Sequence, residues 1–149
     1  MRVQFNLFRL RLASRAITII LVTWITSTSY AANQRDFTAI LAQGKQVFAD
    51  NCAGCHQLNG SGLRPIFPPL QHSVIVAGPA KINIQRILNG KPGTPMQAFK
   101  DQLSDADIAA VITYERYTWG KKSSAKALIT PQSVNTERHT ELKSRRGFK

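Results

Sequence analysis

The stretch Cys52-Ala53-Gly54-Cys55-His56 decides the fold of this chain. Its C-x-x-C-H pattern is typical of a c-type haem attachment site. Two thiols three residues apart lie on the same side of a helical turn, so both reach the two vinyl groups on one edge of a porphyrin. The imidazole of His56 is then held next to the metal as an axial ligand. The stretch predicts one haem c, bound covalently through Cys52 and Cys55.

Other chemistry for these residues fits the sequence less well. A structural zinc ion needs four thiolate or imidazole ligands, and the chain has two cysteines. A Cys2His2 set made with His56 and either His72 or His139 lacks the usual ligand spacing. A thioredoxin-like dithiol would lie beside a βαβ pattern, which is not apparent, and a plain disulfide leaves the following histidine unexplained. Haem attachment is the favoured interpretation.

A haem iron with one histidine ligand has one further axial position. Apart from Met1, Met96 is the one methionine, and it ends the turn-rich stretch Gly90-Lys91-Pro92-Gly93-Thr94-Pro95-Met96. A thioether on a proline-bounded loop loses little entropy on coordination, and Met/His ligation raises the reduction potential. His72 is the alternative ligand, whereas His139 lies in a charged tail. We predict His56 and Met96 as the axial iron ligands.

Residues 1–31 have the pattern of a secretory signal peptide. Four arginines and no acidic residue occupy positions 1–15, and an uncharged apolar run follows at 16–26. Ser29 and Ala31 are small residues at the −3 and −1 positions of a cleavage site after Ala31. A retained membrane anchor is the alternative, but the run is shorter than the ~20 residues that span a bilayer. We predict export to a bacterial periplasm.

The charge of the chain is concentrated at its two ends. The net charge is +12; without residues 1–31 it is +8, and residues 120–149 carry +6 of that. The remaining domain, near +2, has no basic helix, RNA-binding signature or finger motif. The sequence therefore argues against nucleic-acid binding.

Apolar spacing predicts helices at both ends of the domain. Residues 36–51 have apolar positions near helical spacing, with Asp36 as a candidate N-cap. Gly44 interrupts this pattern, either as a tolerated surface glycine or because another helix crosses closely there, and we predict the close crossing. A second helix is predicted from Ser104 to Trp119, with Ser104 as N-cap. A shorter one covers 80–88, and no period-2 pattern indicates a sheet. The apolar side chains are too few to fill the interior, so a haem is expected to complete the core.

The order of these motifs resembles the small bacterial class I cytochromes c. After C-x-x-C-H come Phe67-Pro68-Pro69-Leu70, a helix ending at Gly90, Pro95-Met96-Gln97-Ala98-Phe99, and a last helix containing Ile112-Thr113-Tyr114 and Trp119-Gly120. The resemblance covers about residues 37–119. It implies an all-α class I cytochrome c fold, in which three to five helices surround one haem c and the N- and C-terminal helices cross.

The resemblance also implies residue roles. The carbonyl of Pro68 would accept a hydrogen bond from the proximal His56, which fixes the imidazole ring. Gly44, Phe48 and Tyr114 match the crossing of the first and last helices. One departure is that the mid-chain tryptophan that binds a haem propionate in many relatives is missing.

The predicted domain is residues 32–119, and Trp119 is its one tryptophan. Arg64 is a candidate propionate partner, with a solvated side chain as the alternative. Residues 120–149 form a basic extension that we expect to be largely disordered. Residues 128–134 are the part most suited to folding back on the domain, with disorder beyond Thr136. Its charge favours solubility as the simplest interpretation, with peripheral association with a membrane or an acidic partner as the alternative.

The predicted function is outer-sphere transfer of single electrons by a monomeric, non-enzymatic periplasmic carrier. The chain would take electrons from a quinol-oxidising complex or dehydrogenase and deliver them to a terminal oxidase. Its partners would be redox proteins bound transiently, aided by lysines near the haem edge; the candidates are Lys45, Lys81, Lys91 and Lys100. Alternatives are a cytochrome subunit of a membrane oxidase or periplasmic dehydrogenase, a haem-based gas sensor, and a peroxidase.

Overall fold

The computed structural model describes residues 36–121 and 128–146, with side chains described as far as residue 140. These ranges contain six helices and no sheet; one isolated bridge joins Leu63 to Phe67. The helices are α1 (36–51), α2 (Ala53–His56), α3 (Val74–Ala77), α4 (Ala80–Asn89), α5 (Asp105–Trp119) and α6 (Pro131–Arg146). The prediction of an all-α fold is confirmed. The predicted signal peptide, residues 1–31, lies outside the described residues.

Helix α5 is the central element of the compact unit that begins at Ala39. Ser104 caps it through a capping box, accepting from the backbone N–H of Asp107 at 3.1 Å while the Asp107 carboxylate accepts from Ser104. Its apolar residues Ile108, Val111 and Ile112 are completely buried. The predicted helix and its N-cap are therefore confirmed.

Helices α1 and α5 cross at Gly44. A Cβ atom built on Gly44 would overlap the carbonyl oxygen of Ala110 and lie 2.8 Å from Cβ of Tyr114. Such an approach is closed to any residue with a side chain. One turn later Phe48 is buried against Tyr114 and Trp119, with ring centroids 5.8 and 5.0 Å away. The close crossing predicted from Gly44 is confirmed.

Helix α4 adds the third side of the core. Ile84, Ile87 and Leu88 are buried, and Gly90 ends the helix at a φ of 65°. The prediction for 80–88 is confirmed, with one further residue at the end of the helix. The backbone then turns back on itself, because the N–H groups of Phe99 and Lys100 donate to the carbonyls of Ile87 and Leu88.

Helix α6 corrects the prediction of disorder beyond Thr136. The segment before it is anchored by buried Ile129, whose N–H donates to Oγ1 of Thr113, and Val134 of α6 is fully buried. Farther along, Arg138 donates to Asp105 on α5 at 2.8 Å, and Glu137 accepts from Gln85 on α4 at 2.9 Å. The tail therefore packs on the domain through isolated anchors rather than a continuous apolar stripe. Residues 122–127, between the two parts, lie outside the described residues.

Candidate haem site

The C-x-x-C-H stretch forms a tight helical turn at the end of α1. The N–H of Cys52 still donates to the carbonyl of Phe48, and those of Cys55 and His56 both donate to the carbonyl of Cys52. Cys52 is half-buried against the core, whereas Cys55 is exposed, and both are free thiols. Two thiols that lie on one turn, of which Cys55 is exposed, are suited to attachment to one edge of a planar macrocycle.

The ring of His56 is oriented from behind by the chain itself. Its Nδ1 lies 2.9 Å from the carbonyl oxygen of Pro68, a contact that requires the tautomer protonated at Nδ1. That tautomer leaves the lone pair of Nε2 available to a metal. The Pro68 contact implied by the resemblance is present in the structure.

The loop after His56 contains a glycine in a left-handed conformation and packs against Trp119. Gly60 is buried at a φ of 75°, and a Cβ there would lie 2.6 Å from the Trp119 ring. Its carbonyl accepts from Leu70 N–H at 2.8 Å, and the N–H of Gly62 donates to the carbonyl of His56 at 2.9 Å. These contacts hold Pro68 in place against the histidine.

Met96 ends a loop that is held by its own hydrogen bonds. Lys91 N–H donates to the Met96 carbonyl at 3.0 Å, and the Thr94 hydroxyl donates to the Lys91 carbonyl and accepts from Met96 N–H. The Met96 side chain is half-buried and packs against the core cluster. These hydrogen bonds restrain the loop, which lowers the entropy lost when the thioether binds a metal.

The segment after the attachment turn is rich in exposed apolar side chains. Among the described residues, five of the seven large apolar side chains that are exposed fall between positions 58 and 82. They are Leu58, Leu63, Ile66, Val74 and Ile82. Apolar side chains of this kind are available for contact with a hydrophobic cofactor or a partner. The residues present therefore fit a haem c.

The Cys52 thiol is not suited to thiol–disulfide chemistry. Burial, with smaller contributions from the charges of Glu115 and Cys55, raises the pKa of Cys52 to about 12. Reactive dithiols have a lowered pKa at one sulfur, so this shift argues against the thioredoxin-like alternative. The described residues also contain no group of three or more His, Cys, Asp and Glu side chains placed to hold a metal ion. The zinc alternative therefore lacks a ligand set within the part of the chain that the structure describes.

Several candidate residues lie at the surface. His72 is exposed in a left-handed conformation at a φ of 57°, and His139 is exposed on α6. Arg64 is also exposed. Lys45, Lys81 and Lys91 are exposed, and Lys100 is half-buried.

Two buried charged residues on α5 escaped the sequence reasoning. Glu115 is 4% exposed and Arg116 6% exposed. Arg116 donates to the carbonyls of Val76 at 3.0 Å and Gly78 at 2.8 Å, which ties α3 to α5. Glu115 accepts from Asn83 of α4 at 3.2 Å. In the sequence Ile112-Thr113-Tyr114-Glu115-Arg116, no local signal distinguishes the two from exposed residues of a helix.

The chain was compared with known proteins. Residues 39–114 match the family described as cytochrome c oxidase, cbb3-type, subunit III. The chain is also 36% identical over 127 residues to cytochrome c-552 of Thermus thermophilus, covering 65% of this chain and 95% of that protein. The chain belongs to the cytochrome c family.

Within that family it is a small class I cytochrome c. The cofactor of such a cytochrome is haem c, covalently bound, and its iron serves electron transport. Other relatives are larger. The cytochrome c subunit of the quinone-dependent alcohol dehydrogenase of Gluconobacter oxydans is 30% identical over 90 residues, which are 54% of this cytochrome and 19% of that subunit.

A third relative belongs to an oxidase. The cbb3-type cytochrome c oxidase subunit CcoP of Cereibacter sphaeroides is 31% identical over 77 residues, which are 51% of this cytochrome and 27% of CcoP. This cytochrome thus spans about a quarter or less of these two subunits, but most of cytochrome c-552. Within the described residues, none of its helices combines the length and the apolar character that crossing a membrane requires.

Proposed function

We propose that the protein carries single electrons by outer-sphere transfer through one haem c, bound by Cys52 and Cys55 and ligated by His56 and Met96. The observation that carries the proposal is the attachment turn itself, in which the His56 ring is oriented by the Pro68 carbonyl. When bound, the haem supplies the one-electron couple. His56 and Met96 would both hold the iron, and ligation by both would leave it no position for a substrate.

The chain's own residues set the conditions for fast transfer. The backbone bonds of the attachment turn and the hydrogen-bonded loop before Met96 hold both ligands in place before coordination. Ligands that are held rigidly would move little between the oxidised and reduced states, so little structural reorganisation would oppose electron transfer.

The proposed setting is the periplasm, after cleavage behind Ala31. There the protein would receive electrons from a quinol-oxidising complex or dehydrogenase and pass them to a terminal oxidase. Exposed Lys45, Lys81 and Lys91 would favour short encounters with acidic partner surfaces. The proposed carrier is free and monomeric.

The experiment is an absorption spectrum of the oxidised and reduced protein, recorded for wild type and Met96→Ala. We expect a low-spin c-type spectrum with a sulfur-to-iron charge-transfer band in the oxidised wild type. Met96→Ala should lose that band and bind carbon monoxide when reduced, because the axial position is opened. Gln97→Ala, altering the exposed neighbouring residue, is the matched control and should keep the band. A high-spin wild type, or a band that survives Met96→Ala, would exclude Met96 as the ligand.

The second candidate function is a subunit of an oxidoreductase complex. It is supported by the relatives whose names describe cytochrome subunits of dehydrogenases and of a cbb3 oxidase. Gel filtration of solubilised membranes and periplasm separates the two candidates. A stoichiometric complex with a dehydrogenase or oxidase would support the subunit, whereas elution as a monomer supports the free carrier.

A further inference from the structure

Glu115 is a buried acid that the proposed electron-transfer role does not use. It is 4% exposed, and its Oε2 accepts a hydrogen bond from Nδ2 of Asn83, which is itself 3% exposed. Burial raises the pKa of Glu115 to about 7, while the Asn83 hydrogen bond opposes the shift. A carboxyl group in this setting exchanges its proton near neutral pH.

Within the described part of the chain, no cation is among the causes of the Glu115 shift. The cations on the packed elements have other contacts: Arg116 binds the Val76 and Gly78 carbonyls, Lys81 pairs with Glu137, and Arg138 pairs with Asp105. The other titratable groups on those elements whose side chains the structure describes are Asp36, Lys45 and Asp50 on α1, Arg86 on α4, Asp107, Tyr114 and Tyr117 on α5, and His139 on α6; α3 carries none. Burial and the Asn83 hydrogen bond are the causes of the Glu115 shift.

The titratable group that responds to Glu115 is Cys52. The negative charge of Glu115 contributes to the raised pKa of the Cys52 thiol. The reverse effect is absent because the thiol is still neutral where the carboxyl group titrates. The carboxylate and the sulfur therefore interact through the low-dielectric core, where charges are poorly screened. Asn83 of α4 and Glu115 of α5 are thus hydrogen-bonded to each other in the core, and the charge of Glu115 acts on the first cysteine of the attachment turn.

We propose that Glu115 is a redox-linked protonation site, whose occupancy by a proton drawn from water rises when the site gains an electron and falls again when the electron leaves. The inference rests on the proposed attachment at Cys52. The electron comes from the redox partner, and the proton binds a carboxylate oxygen of Glu115. Oxidation reverses both transfers, so charge and atoms balance.

The sign of the pH dependence follows from electrostatics. An ionised Glu115 stabilises the oxidised site, which carries one more positive charge than the reduced site. Protonation removes that stabilisation, so the reduction potential is highest at low pH. It falls as pH rises through the range in which Glu115 titrates, and levels off above it. Reduction in turn strengthens proton binding by Glu115, by the reciprocity of linked equilibria.

The experiment is a redox titration of the haem-loaded protein from about pH 5 to about pH 9. We expect reduction to raise the proton affinity of Glu115 about tenfold, which equals about 59 mV between the two plateaus for a one-electron couple. The reduction potential of Glu115→Gln should stay at the low-pH plateau over the whole pH range, because the amide is neutral and similar in shape to the protonated acid. Glu137→Gln, the same change on α6, is the matched control and should keep the wild-type profile.

A second readout reports the proton directly. Infrared difference spectra between the oxidised and reduced protein near pH 7 should show a carboxylic-acid C=O signal that grows on reduction. The signal should be missing in Glu115→Gln and present in Glu137→Gln. Persistence of the pH-dependent step in Glu115→Gln would assign it to another group, such as a haem propionate, and overturn the proposal. A wild-type potential that is flat across neutral pH would do the same.

Asn83→Ala keeps the proposal testable if Glu115→Gln does not fold. Loss of the one hydrogen bond that opposes the shift should move the midpoint of the pH-dependent step to higher pH. An unmoved midpoint would contradict the role of Glu115. The absorption spectrum separates this outcome from failure of the proposed function. If the protein shows a c-type spectrum but its reduction potential does not change with pH, only the proposed proton site is excluded. If the protein contains no haem c, both the proton site and the proposed function are excluded.

Discussion

At the scale of single residues, Gly44 shows what a missing side chain contributes. Glycine inside α1 costs about 1 kcal/mol relative to alanine in helix propensity. At this position it lets the backbone of α1 approach the Ala110 carbonyl on α5. The crossing in turn places Phe48 against Tyr114 and Trp119, directly behind the attachment turn.

Gly44→Ala should destabilise the protein although alanine is the better helix former. The added methyl group meets backbone atoms of Ala110, which cannot rotate away, so the two helices must separate. We expect a net loss of about 1–3 kcal/mol in the free energy of unfolding, as for other overpacked cores. Chemical denaturation followed by circular dichroism measures it.

Gly54→Ala is the matched control, because a Cβ at Gly54 meets nothing within 4 Å. Its unfolding free energy should stay equal to wild type or rise by at most about 1 kcal/mol. Equal stabilities for the two variants would show that the α1–α5 contact is looser than described.

At the scale of elements, Arg138 is the main polar anchor of α6 on the start of α5. Arg138 donates to Asp105 at the start of α5 and to the carbonyls of Lys100 and Leu103. Burial alone would raise the pKa of Asp105, but hydrogen bonds from Asn135 and Arg138 and the charges of Arg138 and His139 outweigh it and lower the pKa. The carboxylate thus joins the N-terminus of α5 to the tail.

Arg138→Ala should lower the unfolding free energy by about 1–3 kcal/mol, the usual range for hydrogen bonds to charged groups. Because the pKa of Asp105 is lower in the folded protein, its contribution is present above its ordinary value of 3.8 and is lost as pH falls below it. The difference between variant and wild type should therefore shrink in acid. Denaturation at neutral and acidic pH measures it.

Lys81→Ala is the control for the Arg138 experiment. Its ion pair with Glu137 also joins α6 to the domain, but Lys81 is 60% exposed and the pair is 3.6 Å apart. Exposed pairs of this kind contribute about 0–1 kcal/mol. A larger loss for Lys81→Ala than for Arg138→Ala would reverse the assigned order of the two contacts.

At the scale of the whole molecule, the core is complete on one side only. Phe48, Leu88, Ile108 and Ile112 are fully buried together, whereas apolar side chains from the segment 58–82 remain exposed. A haem against this surface would bury them and contribute roughly 25 cal/mol per Å² of apolar area removed from water.

The variant Cys52→Ser/Cys55→Ser, which cannot form thioether bonds, should therefore lose stability across the whole chain. We expect weaker helical circular dichroism, a broad thermal transition and binding of a hydrophobic dye. The variant Cys52→Ala/Cys55→Ala is the control for the serine hydroxyl groups and should give the same result as the serine variant. A sharp transition at the wild-type temperature in both variants would show that the fold does not depend on the haem.

Local features of the sequence were sufficient for the parts that depend on spacing along the chain. The attachment pentapeptide, Ser104 as a helix cap and the helix before Gly90 could be predicted because the interacting residues are a few positions apart. Gly44 was informative because a glycine within a helical pattern implies a close neighbour. Pro68 came from the family resemblance.

Only the tertiary structure reveals the features that depend on residues far apart in the sequence. The tail from 128 onward is polar in sequence, yet its sparse anchors Ile129, Val134 and Arg138 find a buried threonine, the core and a carboxylate more than 15 residues away. Glu115 likewise looks like an ordinary helix-surface acid in sequence. It is buried because α1, α4 and α6 surround α5, and burial in three dimensions, rather than residue type, sets how a carboxyl group holds its proton.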